Sequence, residues 1–404
     1  MSTQVHATLT AEDVEQVSAE LGEPDWLTET RLEAFEALDD LAMPSVIRTP
    51  GRDWTNLDAL DYETLVDPLE WAEEKDRVEA EGVDVLSWSE ALEDHGDLIK
   101  EHFGSVVDPQ RDYLTALSTA LFGAGTVVYV PEGVVAEDVK IRTTMNSRSL
   151  FNYTLVVAEE SSSVTILERQ STGDQPADSD QYYSGVVEVV ADKNAHVQYG
   201  ALQNLSEDTY NFSVKRGHAA RDATVDWIEG NLGSQLTKTS VETRLIGDGA
   251  ESQIVGAFFG HDDQHFDLGS RVWHEGEHTT ADLVTRGVLD DEARSAYEGV
   301  QDVGTDAWDT NSYQRENTLL LSDDAEADAS PKLIINNHDT EASHSATVGQ
   351  VDQEDLFYMT SRGIDDERAT NMLVEGFFVP VLEEVAVDEL REDLDDLILE
   401  RLEN

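Results

Sequence analysis

Apolar residues recur along this chain in three successive textures. From residue 8 to 43 they follow helical spacing, with Val14, Val17 and Leu21 on one face and Thr10-x-x-Asp13 as a capping box ahead of them. Gly22-Glu23-Pro24-Asp25 breaks that run. Residues 45–83 are rich in Asp and Glu, show no period and read as a linker-like excursion. Helical spacing returns at 87–103 and 113–121. From residue 122 the texture changes to short runs of branched and aromatic residues at 126–130, 153–157, 164–167, 186–190, 196–199, 223–228, 241–246, 252–259, 270–274 and 318–321. Gly, Asn, Asp and Ser separate these runs, which therefore predict strands. A sandwich, a barrel and a β-solenoid all satisfy the pattern.

The third texture begins with 331–337, a short buried strand, and 339–345, a turn of small and polar residues that carries His344. Asp352-x-x-Asp355 then opens an amphipathic helix with Leu356 and Phe357 inward, closed by Gly363 and Ile364. Leu390, Leu394, Leu397 and Ile398 make the acidic tail 388–404 a further amphipathic helix. The expected organisation is a helical region over 1–121, a β core over 122–337 and a second helical region over 338–404.

Charge sets the environment. The chain carries 26 Lys and Arg against 86 Asp and Glu, a net charge of −60 distributed along its whole length. At molar salt the screening length falls to about 3 Å and the self-repulsion largely disappears, so the salt-rich cytoplasm of a halophile is the expected setting. Seven Trp and a 39% hydrophobic content oppose an acidic disordered chain. The same charge opposes nucleic-acid binding. With no cysteine, disulfides, thiolate nucleophiles and cysteine-ligated clusters within the chain are excluded, and any sulfur chemistry falls to a partner. No apolar run is long enough to span a bilayer and no signal-peptide pattern opens the chain, so no membrane association and a cytoplasmic location are expected.

His274-Glu275-Gly276-Glu277-His278 fits H-E-x-x-H, which on a helix would place two imidazoles on one face to bind zinc, with the glutamate activating water. A metal-dependent hydrolase built on that motif is the alternative function. Its setting, with Arg271-Val272-Trp273 before it and Gly276 within it, is strand and turn. Along an extended strand residues four apart are about 13 Å apart, too far to share a metal unless a turn brings them together. His261 and His265 read as polar residues of a β-turn. No phosphate-binding loop occurs, so an ATP-driven process would need an ATPase subunit.

Two stretches carry a family resemblance. Ala342-Ser343-His344-Ser345-Ala346-Thr347-Val348-Gly349, followed by Leu356-Phe357-Tyr358-Met359-Thr360-Ser361-Arg362-Gly363-Ile364, closely resembles the C-terminal core of the SufB/SufD family of the SUF iron-sulfur cluster assembly system. Leu21-Gly22-Glu23-Pro24-Asp25-Trp26-Leu27, with Arg31, Leu32 and Ala34 after it, is similar to that family's N-terminal signature. Phe122 to Val135, Gln203-Asn204, Leu245 to Ala250 and Arg286 to Leu289 extend the match. One departure is Ala342, where the family often has cysteine.

The resemblance implies a right-handed parallel β-helix between N- and C-terminal helical regions. It implies a non-catalytic scaffold subunit, closer to the SufD branch because cysteine is absent, that pairs with a SufB-like subunit and docks the ABC-type ATPase SufC. A homodimer forming without that partner is a further expectation. His344, on its own readable as a histidine hydrogen-bonded in a turn, becomes a candidate ligand for iron or for a transient iron-sulfur cluster shared with the partner, none being held stably by this chain alone. Glu341 is a weaker oxygen-ligand candidate. Leu356, Phe357, Tyr358, Arg362, Met372, Phe377 and Phe378 are the candidate partner-docking residues.

Overall fold

The computed structural model describes residues 9–44, 73–78, 81–173, 180–385 and 387–403. The predicted linker 45–83 therefore lies outside the described residues, except for 73–78 and 81–83. Four described helices lead in: α1 (Ala11–Leu21), α2 (Asp25–Ala37), α3 (Trp88–His102) and α4 (Tyr113–Leu121). The capping box of α1 forms as predicted. The Thr10 hydroxyl accepts from the Asp13 N–H, the Asp13 carboxylate accepts from the Thr10 N–H at 2.8 Å, and Gly22 at φ 66° ends the helix.

Strands then alternate between two nine-stranded sheets. The first stacks β1 (Glu73–Val78), β4 (Val135–Met145), β6 (Ser163–Thr172), β8 (His196–Asn204), β10 (Thr224–Asn231), β12 (Glu251–Gly260), β14 (Thr280–Leu289), β16 (Thr310–Leu320) and β18 (Thr340–Gln350). The second stacks β2 (Asp84–Leu86), β3 (Ala124–Val130), β5 (Ser149–Ala158), β7 (Gln181–Ala191), β9 (Thr209–Ala219), β11 (Leu236–Leu245), β13 (His265–His274), β15 (Arg294–Val303) and β17 (Glu326–Ile335). Apart from β1 with β4 and β2 with β3, neighbours are parallel. Each turn of chain gives one strand to each sheet, and about eight turns make a parallel β-solenoid. Of the three architectures that fitted the strand pattern, this is the one the chain adopts.

The coils are held in step by one repeated corner. Gly133, Ser161, Asn194, Asp222, Gly249, His278 and Asp309 all have φ between 56° and 71°. Each of the first six donates its N–H to a carbonyl in the next coil: Gly133 to Glu160, Ser161 to Lys193, Asn194 to Arg221, Asp222 to Asp248, Gly249 to Glu277 and His278 to Trp308, at 2.7–3.1 Å. The left-handed conformation favours Gly, Asn and Asp, and after every corner but Gly133 a buried small residue follows: Ser162, Ala195, Ala223, Ala250, Thr279 and Thr310. This is the repeat that strand texture did not reveal.

Parallel register puts paired residues on the same face, so the interior is built in rows running through the coils. One row is Tyr199, Trp227, Ile254, Leu283, Gln314 and His344. The outer face of the second sheet packs under α4, where Leu114, Leu117 and Leu121 cluster with Phe151, Tyr153, Leu155 and Tyr182. Arg31 of α2 is fully buried there. It pairs with Glu23 at 2.5 Å, donates to the carbonyls of Ala120 (3.1 Å) and Phe122 (2.8 Å), and lies 3.7 Å over the Phe122 ring.

Three further helices close the chain: α5 (Gln353–Thr360), α6 (Asp366–Glu384) and α7 (Asp388–Glu403). The last two fold back across the outer face of the first sheet, burying Val374, Phe378, Val381, Leu390, Leu394 and Ile398 against Leu167, Leu202, Ile228, Val255 and Phe259. The amphipathic tail is thus the helix its spacing predicted.

The structure corrects three local expectations. Residues 339–345 are not a turn: β18 begins at Thr340, His344 sits within it, and β structure continues through Gln350, past the expected end of the core at 337. Of the strand predicted over 331–337, residues 331–335 belong to β17, which starts at Glu326, ends at Ile335 and is half-buried or exposed along its length. Phe357 points outward with 72% of its surface exposed, and α5 buries none of its residues. A single cause joins the first two. Among the described residues no further coil stacks on the final one, so its strands lack the burial that would give them an apolar texture.

Candidate functional site

The open end of the solenoid is where the sequence-selected residues gather. β17 and β18 are the terminal strands of their sheets, each pairing on one side only among the described residues. Here the interior turns polar: where β8 and β10 place Val197, Tyr199, Val225 and Trp227 inward, β16 places Ser312, Gln314, Glu316 and Thr318. Gln314 donates to the Lys332 carbonyl at 2.9 Å, tying the two sheets together. The Thr318 hydroxyl donates to Glu316, whose carboxyl is pushed up to about 7 by burial.

His344 pairs with Gln314 and Ala346 with Glu316, so His344 lies on the inward row yet is exposed, because its row ends there. Glu341 pairs with Asn311. Three residues from His344 along a regular strand, it lies on the opposite face, so the structure does not bring these two candidates together. Ile335 and Val348 leave 43% and 41% of their surfaces exposed beside this end.

The docking candidates divide. Phe357, Tyr358 and Met372 are exposed, and the Arg362 guanidinium lies 4.2 Å over the Tyr358 ring. Leu356 is half-buried. Phe378 is in the core beneath α6. Phe377 is partly buried there and lies under Arg286, which donates to its carbonyl. These two phenylalanines serve internal packing, because α6 turns that face onto the first sheet.

The H-E-x-x-H pattern does not form a zinc site. His274, fully buried at the end of β13, has Nδ1 bonded to the Thr279 hydroxyl (2.8 Å) and Nε2 to Gln301 Oε1 (3.0 Å), leaving no ring nitrogen for a metal. Burial lowers its pKa to about 4. His278 sits on the outer corner facing Asp309, and Glu275 is paired with Arg244 at 2.7 Å. The strand-and-turn setting decided the matter, as its residues indicated.

Sequence texture missed the interior polar residues. Lys215 of β9 reaches across the solenoid to Glu229 of β10, bonded to both carboxylate oxygens at 2.8 and 2.7 Å, with both residues buried. Glu188 accepts from the N–H groups of Gly104, Val106 and Val107 and from the Tyr153 hydroxyl, pinning the loop after α3 to the second sheet. The corner repeat would have located these strands; no local signal marks their charged residues as internal.

Comparison with known proteins agrees with this architecture. Residues 141–377 match the model of the SUF system FeS cluster assembly SufBD core domain, and residues 52–141 match that of the SufBD protein N-terminal region. The chain is 31% identical to the iron-sulfur cluster assembly protein SufD of Bacillus subtilis (strain 168), over 93% of this chain and 94% of that one. It is 27% identical to the SufB protein of the same organism, over 94% and 90%, and 27% identical to a SufBD family protein of Staphylococcus haemolyticus over the same shares.

Proposed function

We propose a scaffold role for this chain, which belongs to the SufB/SufD family of the SUF iron-sulfur cluster assembly system. In this reading it is a SufD-type, non-catalytic subunit whose open last coil pairs with the corresponding end of a SufB-like subunit. The exposed residues Phe357, Tyr358 and Met372 form the docking face for SufC.

The observation that carries the reading is the terminal coil. Two solenoid strands offer unpaired backbone edges, half-exposed Ile335 and Val348 flank them, and the inward row ends in an exposed imidazole. Edges of this kind favour strand addition by a partner. Pairing there would enclose His344 between two subunits above the buried Gln314 and Glu316. One imidazole supplies one ligand to a cluster, and the chain has no cysteine, so the partner's thiolates would supply the rest. The cluster is then cargo assembled between subunits.

The test is affinity isolation of the tagged chain from its own cells, without oxygen and at molar salt. Co-elution of a cysteine-bearing homologue and an ABC-type ATPase at fixed stoichiometry is expected. Isolation of the chain alone would remove the scaffold reading. A His344→Ala chain that retained both partners and matured clusters at the wild-type rate would remove the ligand role and leave the scaffold.

A further inference from the structure

A second cluster of ligand-type side chains lies far along the chain from the open end, where the terminal helix meets the solenoid. Glu207, in the connection from β8 to β9, and His261 and Asp262, in the connection from β12 to β13, place one ligand atom each within 4.8 Å of one another. His261 Nε2 lies 3.1 Å from Glu207 Oε1, and its Nδ1 lies 3.1 Å from Asp262 Oδ2. Arg401, from the last turn of α7, is seated in this group. Its guanidinium contacts His261 Nε2, donates to Glu207 Oε1 at 3.2 Å, and donates to Asn204 Oδ1 at 3.0 Å.

The protonation pattern follows from the partners. The Nδ1–H tautomer fits these partners: Nδ1 donates to Asp262, and Nε2 accepts from Arg401, whose guanidinium has only donors. The result is an imidazole whose lone pair is aimed at a carboxylate oxygen, with a second carboxylate fixing its tautomer from behind. That is how metal-ligating histidines are held. In that tautomer two acceptors face each other at 3.1 Å, and the Arg401 guanidinium, with only 16% of its side chain exposed, donates to both. A first-row divalent cation bonded to each at about 2.1 Å holds its donor atoms about 3.0 Å apart at a right angle and about 3.4 Å apart at the tetrahedral angle, which brackets the 3.1 Å found here.

We propose that Glu207 and His261, with Asn204 completing the set and Asp262 as the positioning residue, form a site for a divalent first-row transition cation that competes with Arg401. Imidazole with oxygen donors suits Zn²⁺, Fe²⁺, Co²⁺ or Ni²⁺ over Mg²⁺. Because Arg401 is carried by α7, occupancy by metal expels it and loosens the end of the helix from the solenoid. The cation and the helix terminus are thus alternative ligands of one site, a metal-dependent latch.

Zn²⁺ titration of the full chain, in excess Mg²⁺ to saturate the acidic surface, tests this. One equivalent should bind the wild-type chain. Arg401→Ala, which removes the competitor, should bind at least tenfold more tightly, and His261→Ala at least tenfold more weakly, while Arg401→Lys stays near wild type. Hydrogen exchange supplies the second readout: Zn²⁺ should accelerate exchange over 397–403 in the wild type and not in His261→Ala, with β12 and β13 protected in every variant. Equal affinities across the variants, or acceleration produced equally by Mg²⁺, would overturn the proposal, because diffuse binding to the acidic surface then accounts for it.

Discussion

Leu390 of the terminal helix lies where a side chain on Gly200 would stand. A Cβ built on that glycine of β8 collides with the leucine's methyl group, while a Cβ built on Gly230 of β10 would meet Leu202 of β8 first, at 2.5 Å, and Leu394 at 3.1 Å. Gly200 on the outer face of the first sheet is therefore a seat for Leu390, and Leu394 packs beside Gly230 one helical turn further along. Around them the contact is electrostatic: Arg169 pairs with Glu389 and Asp393, and Lys140 with Glu389.

Filling a seat should release the helix. Gly200→Val is expected to cost about 1–3 kcal/mol, the usual range for overpacking, and to raise hydrogen exchange throughout 388–403 while leaving the solenoid interior protected. Exchange unchanged from wild type would show that the helix docks by its charges alone.

The buried Lys215–Glu229 pair predicts a non-additive cycle. Lys215→Met or Glu229→Gln alone strands a partner inside the solenoid and should destabilise by about 3–5 kcal/mol, whereas the double variant should recover much of that loss. Denaturant unfolding of the four proteins measures the coupling, and additive losses would mean that the two groups do not stabilise each other.

Glu316 and His274 make stability depend on pH from opposite sides. Burial raises the Glu316 carboxyl from 4.5 to about 7, so its contribution is full below pH 4.5 and is lost as pH rises through 7. At one pKa unit per about 1.4 kcal/mol, the loss is at most about 3 kcal/mol. Glu316→Gln should flatten the decline in unfolding midpoint between pH 5 and pH 8, and a wild-type midpoint constant over that range would refute the assignment.

His274 works the other way. Its folded pKa lies near 4 against 6.5 for the free side chain, so its contribution is present above pH 6.5 and lost as pH falls through 4. His274→Gln should remove that acid sensitivity and leave zinc binding unchanged, since both ring nitrogens already have partners.

Arg31 predicts a change confined to one end. Arg31→Met removes the guanidinium bonds to Glu23 and to the carbonyls of Ala120 and Phe122, and leaves Glu23 as a buried unpaired acid. A loss of about 3–5 kcal/mol is expected, with exchange rising in α1, α2 and α4 before it rises in the solenoid. Simultaneous loss of protection everywhere would show instead that the helices and solenoid unfold as one unit.

The sequence by itself determined the local elements and the family motifs. Thr10 and Asp13 specify a helix start through bonds made within one turn, Leu390, Leu394 and Ile398 mark a helix face, and the run from Ala342 to Ile364 identifies the relatives. The rejection of a zinc site at 274–278 was also legible, because it rested on neighbouring residues. Only the tertiary structure decided which way residues face. Strands β4, β9, β14 and β15 escaped notice because charged and polar residues interrupt their apolar runs, and in a solenoid a charged residue is as acceptable inside as outside once another strand satisfies it, as Glu229 does for Lys215. The end of the stack was equally invisible. His344 belongs to an inward row and is exposed only because no coil follows, which is a property of where stacking stops and not of the residues around it.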